Sequence, residues 1–113
     1  MKLITEPIDI KELETMADSF FGNLVKAVVD IQKEIMVIDA ELHADQEKWL
    51  IENGSEQKNL WGINLHPTLP IDDFVEFDSM INIRPWANNR SRGINDPLLQ
   101  EKIKRIVNKL VRR

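Results

Sequence analysis

The sequence contains no cysteine. That absence excludes a disulfide scaffold, a thiolate zinc site and cysteine catalysis, and it fits a reducing compartment. Histidine is scarce as well, with only His43 and His66, so a three-histidine zinc site within one chain is excluded. No apolar run approaches the ~20 residues of a membrane span, and Met1–Pro7 is broken by charge and proline before a signal-peptide core forms. Gly-x-x-x-x-Gly-Lys-Ser/Thr, Gly-x-Gly-x-x-Gly, Gly-x-Ser-x-Gly and His-Glu-x-x-His are all missing, which removes the motif-based cases for NTP hydrolysis, dinucleotide binding, serine esterase and zincin protease. The expectation is a cytoplasmic protein with no membrane partner.

What is there fits one globular domain over 1–113, with 42% apolar residues, 30% charged residues and a formal charge of −4. A chain of this length buries roughly two thirds of its unfolded surface, enough for one core without metal or disulfide staples. The charge is unevenly placed. Residues 84 to 113 hold nine basic and two acidic side chains, a local charge of +7, and leave six basic against seventeen acidic residues, −11, for the rest. Such polarity points to the basic end folding onto the acidic body, meeting a second subunit, or binding an anion such as nucleic acid.

Asp9 and Glu12 have capping-box spacing, and Ile10, Leu13, Met16, Ala17 and Phe20 follow at helical spacing, so a helix is expected over about 10–21, ended by Gly22. From Leu24 the period becomes two: Val25, Ala27, Val29 and Ile31 alternate with Lys26, Val28 and Asp30. Gln32-Lys33-Glu34 is a turn candidate without the Asn-Gly or Asp-Gly of a tight hairpin, and a second strand is expected over about 35–42. Asp45 begins a short helix carrying Trp49 and Leu50, 60–66 alternates as a third strand, and Ser79–Arg84 reads as a fourth with Ile81 and Ile83 facing the core. Trp86–Asn95 is an aperiodic loop. Asp96 then caps, and Pro97 starts, a final helix with the stripe Leu99, Ile103, Ile106, Val107 and Leu110. Short turns between strands argue for antiparallel pairing, hence an α+β two-layer sandwich: a mainly antiparallel sheet of about four to five strands with helices packed on one face.

In that arrangement the open sheet face shows Lys26, Asp30, Asp39, Glu41, Asn64, Asn82 and Arg84, with His43 and His66 at its margins. It is either a solvated face or a site. As a site, Asp39, Glu41 and His43 point one way at period two and, with Asp78, supply oxygen and nitrogen ligands for a divalent metal ion, Mg²⁺, Mn²⁺ or Zn²⁺. The loop supplies the other candidate: Arg84, Arg90, Ser91 and Arg92 run into a helix start, the parts of an anion site, and Trp86 can stack on a base. The competing reading has these arginines clamping acids of the body or of a second subunit.

The segments Phe21–Asp30, Asp39–Asp45, Leu60–Leu65, Phe77–Pro85 and Asn89–Gly93 resemble the landmarks of a small uncharacterised prokaryotic protein family, a domain of unknown function. The resemblance covers nearly the whole chain. It implies a self-contained bacterial or archaeal protein and supplies no activity. The reading drawn from the residues is a small binding or assembly module, with the arginine loop and polar sheet face as contact surface for a protein or anionic partner and a homodimer plausible. The alternative is a metal-dependent hydrolase or nuclease using Asp39, Glu41, His43 and Asp78 for the ion and the arginines for phosphate.

Overall fold

The computed structural model describes all 113 residues. In chain order it forms β1 (Lys2–Ile4), β2 (Ile8–Asp9), α1 (Ile10–Phe20), β3 (Val25–Asp30), β4 (Ile35–Ile38), α2 (His43–Glu52), β5 (Leu60–Leu65), β6 (Val75–Glu76), α3 (Pro97–Leu110) and β7 (Val111–Arg112), with short 3-10 turns between. Five strands make one sheet in the order β1-β4-β3-β5-β6, and every pairing in it is antiparallel. The fold is α+β. No helix is long and apolar enough to cross a membrane.

The period-two alternation places the core. Val25, Ala27 and Val29 of β3, Met36 and Ile38 of β4, and Trp61, Ile63 and Leu65 of β5 lie under Leu13 and Ala17 of α1 and Ile103, Ile106, Val107 and Leu110 of α3. Burying each large aliphatic side chain there contributes roughly 1.5–3 kcal/mol. The chain ends are tied beside this core by a parallel pair, Ile8 against Val111 and Asp9 against Arg112. Asp9 precedes α1 but makes no capping bond; its carboxylate accepts from Arg112 Nε at 2.8 Å instead.

The expected helical layer is therefore α1 and α3, and α2 goes to the other face. There Val28, Val37 and Leu60 form a second apolar cluster with Leu50 of α2, flanked by Ile35, Trp49 and Ile81. The second face of the strands is apolar in its middle, and those side chains need cover as much as the others do. Only the end of that face near Lys26 and Asn64 stays polar.

Two other departures have local causes. The β3–β4 hairpin closes without an Asn-Gly because the buried Asp30 carboxylate accepts from the amides of Gln32 (2.9 Å) and Lys33 (3.0 Å) and from Ser55 Oγ (2.7 Å), while Glu34 takes φ 55°. Strand β4 stops at Ile38 rather than near 42, because Asp39 adopts φ 66° and turns the chain toward α2.

Gly62 of β5 marks a close approach. A Cβ there would stand 2.6 Å from both Cβ and Oγ of Ser79. Gly62→Ala is expected to lower stability by about 1–3 kcal/mol through overpacking. In urea denaturation the loss should shrink when Ser79 is also replaced by Gly; equal losses in both backgrounds would place the strain elsewhere.

Candidate functional site

Strand β6 pairs with β5 only at Asn64 and Leu65, so the outer edge of β5 from Leu60 to Gly62 lacks a strand partner. Side chains complete it. Asn82 Oδ1 accepts from Gly62 N at 2.8 Å and Asn82 Nδ2 donates to Gly62 O at 2.9 Å, so one carboxamide stands in for a peptide unit. Arg84 Nη2 donates to Leu60 O, and Arg84 Nε donates to Ile81 O at 3.1 Å. Residues 79–84 consequently form a 3-10 turn, Met80–Asn82, and not the expected strand. Ile81 packs against the α2 side of the sheet and Ile83 is exposed, which corrects their expected place in the main core.

Arg84 is only 3% exposed and is held by Glu47 (Nη2 to Oε2, 3.3 Å) and by the Trp61 ring, 4.6 Å from its guanidinium carbon. Desolvation lowers its pKa and Glu47 works against that shift. The loop that follows is organised by Asn89, which donates to Asn82 O (2.7 Å) and Gly93 O (2.8 Å) and accepts from Asn95 N (2.8 Å). Arg90 is exposed and forms no ion pair, and Ser91 Oγ bonds to Asn95 Oδ1 at 3.0 Å. Of the four residues expected to hold an anion together, Arg84 is thus spent on the fold, Arg90 and Ser91 stay on the loop surface, and Arg92 alone reaches the polar sheet face. Its Nε donates to Asp78 Oδ1 at 2.6 Å.

The expected metal set does not assemble. Asp39 sits in the left-handed turn after β4, Glu41 is exposed, His43 is the first residue of α2, and Asp78 is engaged by Arg92. No group of three or more histidine or acidic side chains is placed to hold a metal ion. The period-two argument fails because the strand ends at Ile38, so 41 and 43 no longer share its face.

His43 is 7% exposed and its Nε2 lies 2.7 Å from Ile63 O. A carbonyl only accepts, so Nε2 carries the proton and Nδ1 the lone pair. Burial pushes its pKa below the ordinary 6.5, against the Ile63 carbonyl, which raises it. His66, at the sheet margin, pairs with Glu76 at 3.1 Å, and Glu76 is held below the usual carboxylate range by Asn64 Nδ2 first and by His66 second.

A cleft of about 140 Å³ opens where these pieces meet, lined by Lys26 of β3, His43 and Ala44 of α2, Ser79 and Arg92, with Ile81 beside them. Its rim is apolar, Leu42 and Met80 being 55% and 64% exposed. Lys26 forms no ion pair; its ammonium lies 5.2 Å from the centre of the Phe21 ring. Leu42, at the N-cap of α2, offers no side-chain cap, and the amides of His43 and Ala44 have no backbone acceptor. The lining holds two cations, a buried hydroxyl and an uncapped helix start, and no carboxylate. Four other clefts on the molecule each contain at least one acid in the lining. Lys26 was placed on the polar sheet face by its period-two spacing, whereas Ser79 was not among the residues picked for chemistry; the tight Gly62–Ser79 contact sets Ser79 beside the sheet, and spacing along the chain does not reveal it.

A protein family described as "Protein of unknown function (DUF5674)" matches residues 2–110. No curated protein and no solved structure matches the chain.

The buried neutral His43 predicts a pH dependence. Its folded pKa lies below the unfolded value near 6.5, so the unfolded chain takes up the proton first as pH falls. Its contribution is intact above about pH 6.5 and is lost as pH drops from there toward the lower folded pKa. Urea midpoints should fall more steeply between neutral and mildly acidic pH in the wild type than in His43→Gln; parallel profiles would mean that His43 titrates normally.

Proposed function

Because the chain belongs to that family, whose description assigns no activity, its own residues carry the functional reading, and we propose that it is a small binding module whose contact surface is the Lys26–Arg92 cleft, taking an oxyanion group such as phosphate or carboxylate. The observation that carries this reading is the lining itself: donors and positive charge on every polar side, with no acid among them. Lys26 supplies an ammonium without a carboxylate partner. Arg92 spends Nε on Asp78 and keeps its terminal nitrogens for a ligand. The Ser79 hydroxyl accepts from Ile81 N at 3.3 Å and donates to nothing in the chain. The start of α2 adds unpaired amides and the positive end of its dipole.

The apolar rim gives the ligand its second requirement. An anionic head on an apolar or amphipathic body, as in an acidic segment of a partner protein, meets Leu42 and Met80 as it enters. Neutral His43 contributes no charge at physiological pH, so the net local charge is that of Lys26. We place the protein in the cytoplasm, where a cysteine-free chain meets no disadvantage. Self-association is a second reading, favoured by the outer edge of β1, which no strand covers.

Inorganic phosphate tests the first reading. A ligand that binds only the folded chain raises the melting midpoint, with the logarithm of its concentration once that exceeds Kd. Phosphate is expected to raise it at constant ionic strength, and Lys26→Met is expected to weaken the affinity about tenfold or more, the loss of one charge-assisted hydrogen bond. Melting that is identical in phosphate, acetate and chloride would rule out an oxyanion receptor.

A further inference from the structure

We propose that the anion taken by the Lys26–Arg92 cleft is the free carboxyl terminus of a partner polypeptide ending in an apolar residue, held through its carboxylate and through the N–H of that last residue. This rests on the oxyanion reading of the cleft and adds to it the kind of molecule that supplies the anion.

The observation beyond the cations is an acceptor. His43 lines the cleft and is nine-tenths buried or more, at 7% exposed. Its Nε2 donates to Ile63 O at 2.7 Å, which leaves the ring lone pair on Nδ1. Nδ1 has no partner in the chain, and it is not among the four polar side-chain atoms sealed unpaired in the interior, so it keeps access to the opening that the ring lines. Charges on Lys26, Asp78 and Arg92 are all felt at this ring, which places them around it. Donors for an anion and one acceptor thus lie side by side, and a ligand that satisfies both carries a hydrogen-bond donor next to its negative charge. Acetate and a phosphomonoester dianion have acceptors only. The last residue of a polypeptide has its N–H one carbon away from its carboxylate and brings both groups in together.

Charge, size and rim agree with such a chain end. Lys26 and Arg92 set against Asp78 leave one net positive charge, the complement of a single carboxylate. At about 140 Å³ the cleft is smaller than the roughly 300–1,000 Å³ of sites that enclose a small molecule, so it admits the end of a ligand and leaves the remainder outside. What lies outside is apolar. Leu42 and Met80 form the rim, Phe21 sits beside Lys26, and the exposed Phe20 ring is 6.2 Å from that of Phe21. An apolar last side chain, with a body continuing over this patch, covers what the fold leaves bare.

The experiment follows the ring nitrogens of His43 in long-range proton–nitrogen NMR spectra of the full chain, with His66 as internal reference. The probe is acetyl-Ala-Leu with a free carboxylate. It is expected to move His43 Nδ1 saturably, to leave His66 still, and to bind about tenfold or more tightly than acetate. The ester analogue, in which oxygen replaces the leucine N–H, is expected to bind about fivefold weaker or worse, the loss of one hydrogen bond. The carboxamide-ended peptide should lose about tenfold or more, and glycine in place of leucine about threefold or more. The proposal is overturned by a His43 Nδ1 that the peptide does not move, by a peptide no tighter than acetate, or by an ester, carboxamide or glycine version that binds as tightly as the leucine acid. Inorganic phosphate separates the two readings: phosphate that raises the melting midpoint where the peptide does not bind overturns the chain-end proposal and leaves the oxyanion cleft standing, whereas no response to either removes both.

Discussion

The free edge of β5 is the constraint on which the rest of the structure depends. A strand edge buried against protein must find partners for its N–H and C=O groups, and β6 is too short to supply them. Asn82 and Arg84 do so with side chains, matching the amide and carbonyl of Gly62 and the carbonyl of Leu60. Two side chains reach an edge from many directions, whereas a strand would have to lie along it. The chain is thus free to turn at Met80–Asn82 and again at Pro85–Ala87, and Asn89 then locks the returning loop back onto Asn82. Arg92 arrives on the polar face because that loop is fixed, with its carbonyl also held by Asn82 Nδ2 at 3.0 Å.

What could be read along the chain follows the same division. The alternation in β3 and β5 and the stripe in α3 are records of burial on a repeating geometry, so their faces were legible from residues such as Val29, Ile63 and Ile106. The antiparallel α+β class followed from the short turns. Segments satisfied by side chains leave no period. Ile81 and Ile83 alternate as a strand would, yet the segment pairs through the carboxamide of Asn82, and nothing in the spacing separates the two cases. At 39–43 a single residue with positive φ, Asp39, cancels a pattern that is otherwise a valid strand. The metal set built on that pattern lost its geometry for this reason, and the anion set lost Arg84 because a guanidinium suited to phosphate suits two carbonyls equally well.

The charge polarity of the chain resolves in part within it. Arg84 with Glu47, Arg92 with Asp78, Lys109 with Glu34 and Arg112 with Asp9 each join the basic end to the acidic body. The exposed pairs contribute little stability, typically under 1 kcal/mol each. Their effect is to use up charge. Against that background a cation such as Lys26, set in a cleft and left without an acid, is a feature of position and not of composition, which is why the net charge of −4 says nothing against an anionic ligand.

The Lys26–Arg92 cleft lies beside the one edge that side chains cap, and there is a physical reason for its place. A paired strand fills the space beside its neighbour with continuous backbone and regularly spaced side chains, and it consumes donors and acceptors in equal number. A carboxamide and a guanidinium satisfy the same edge with fewer atoms and unequal chemistry. Asn82 balances its peptide partner, but Arg84 brings five N–H donors to an edge that offers it one carbonyl, so donors remain after Ile81 O and Glu47 have been met. On the Trp61 side Arg84 Nη1 and the indole N–H are also left unpaired, but buried with no opening to either. On the Lys26 side the surplus belongs to the terminal nitrogens of Arg92, to Ser79 and to the start of α2. Capping an edge with side chains therefore leaves room and unmatched donors together, and an acceptor-bearing ligand needs both.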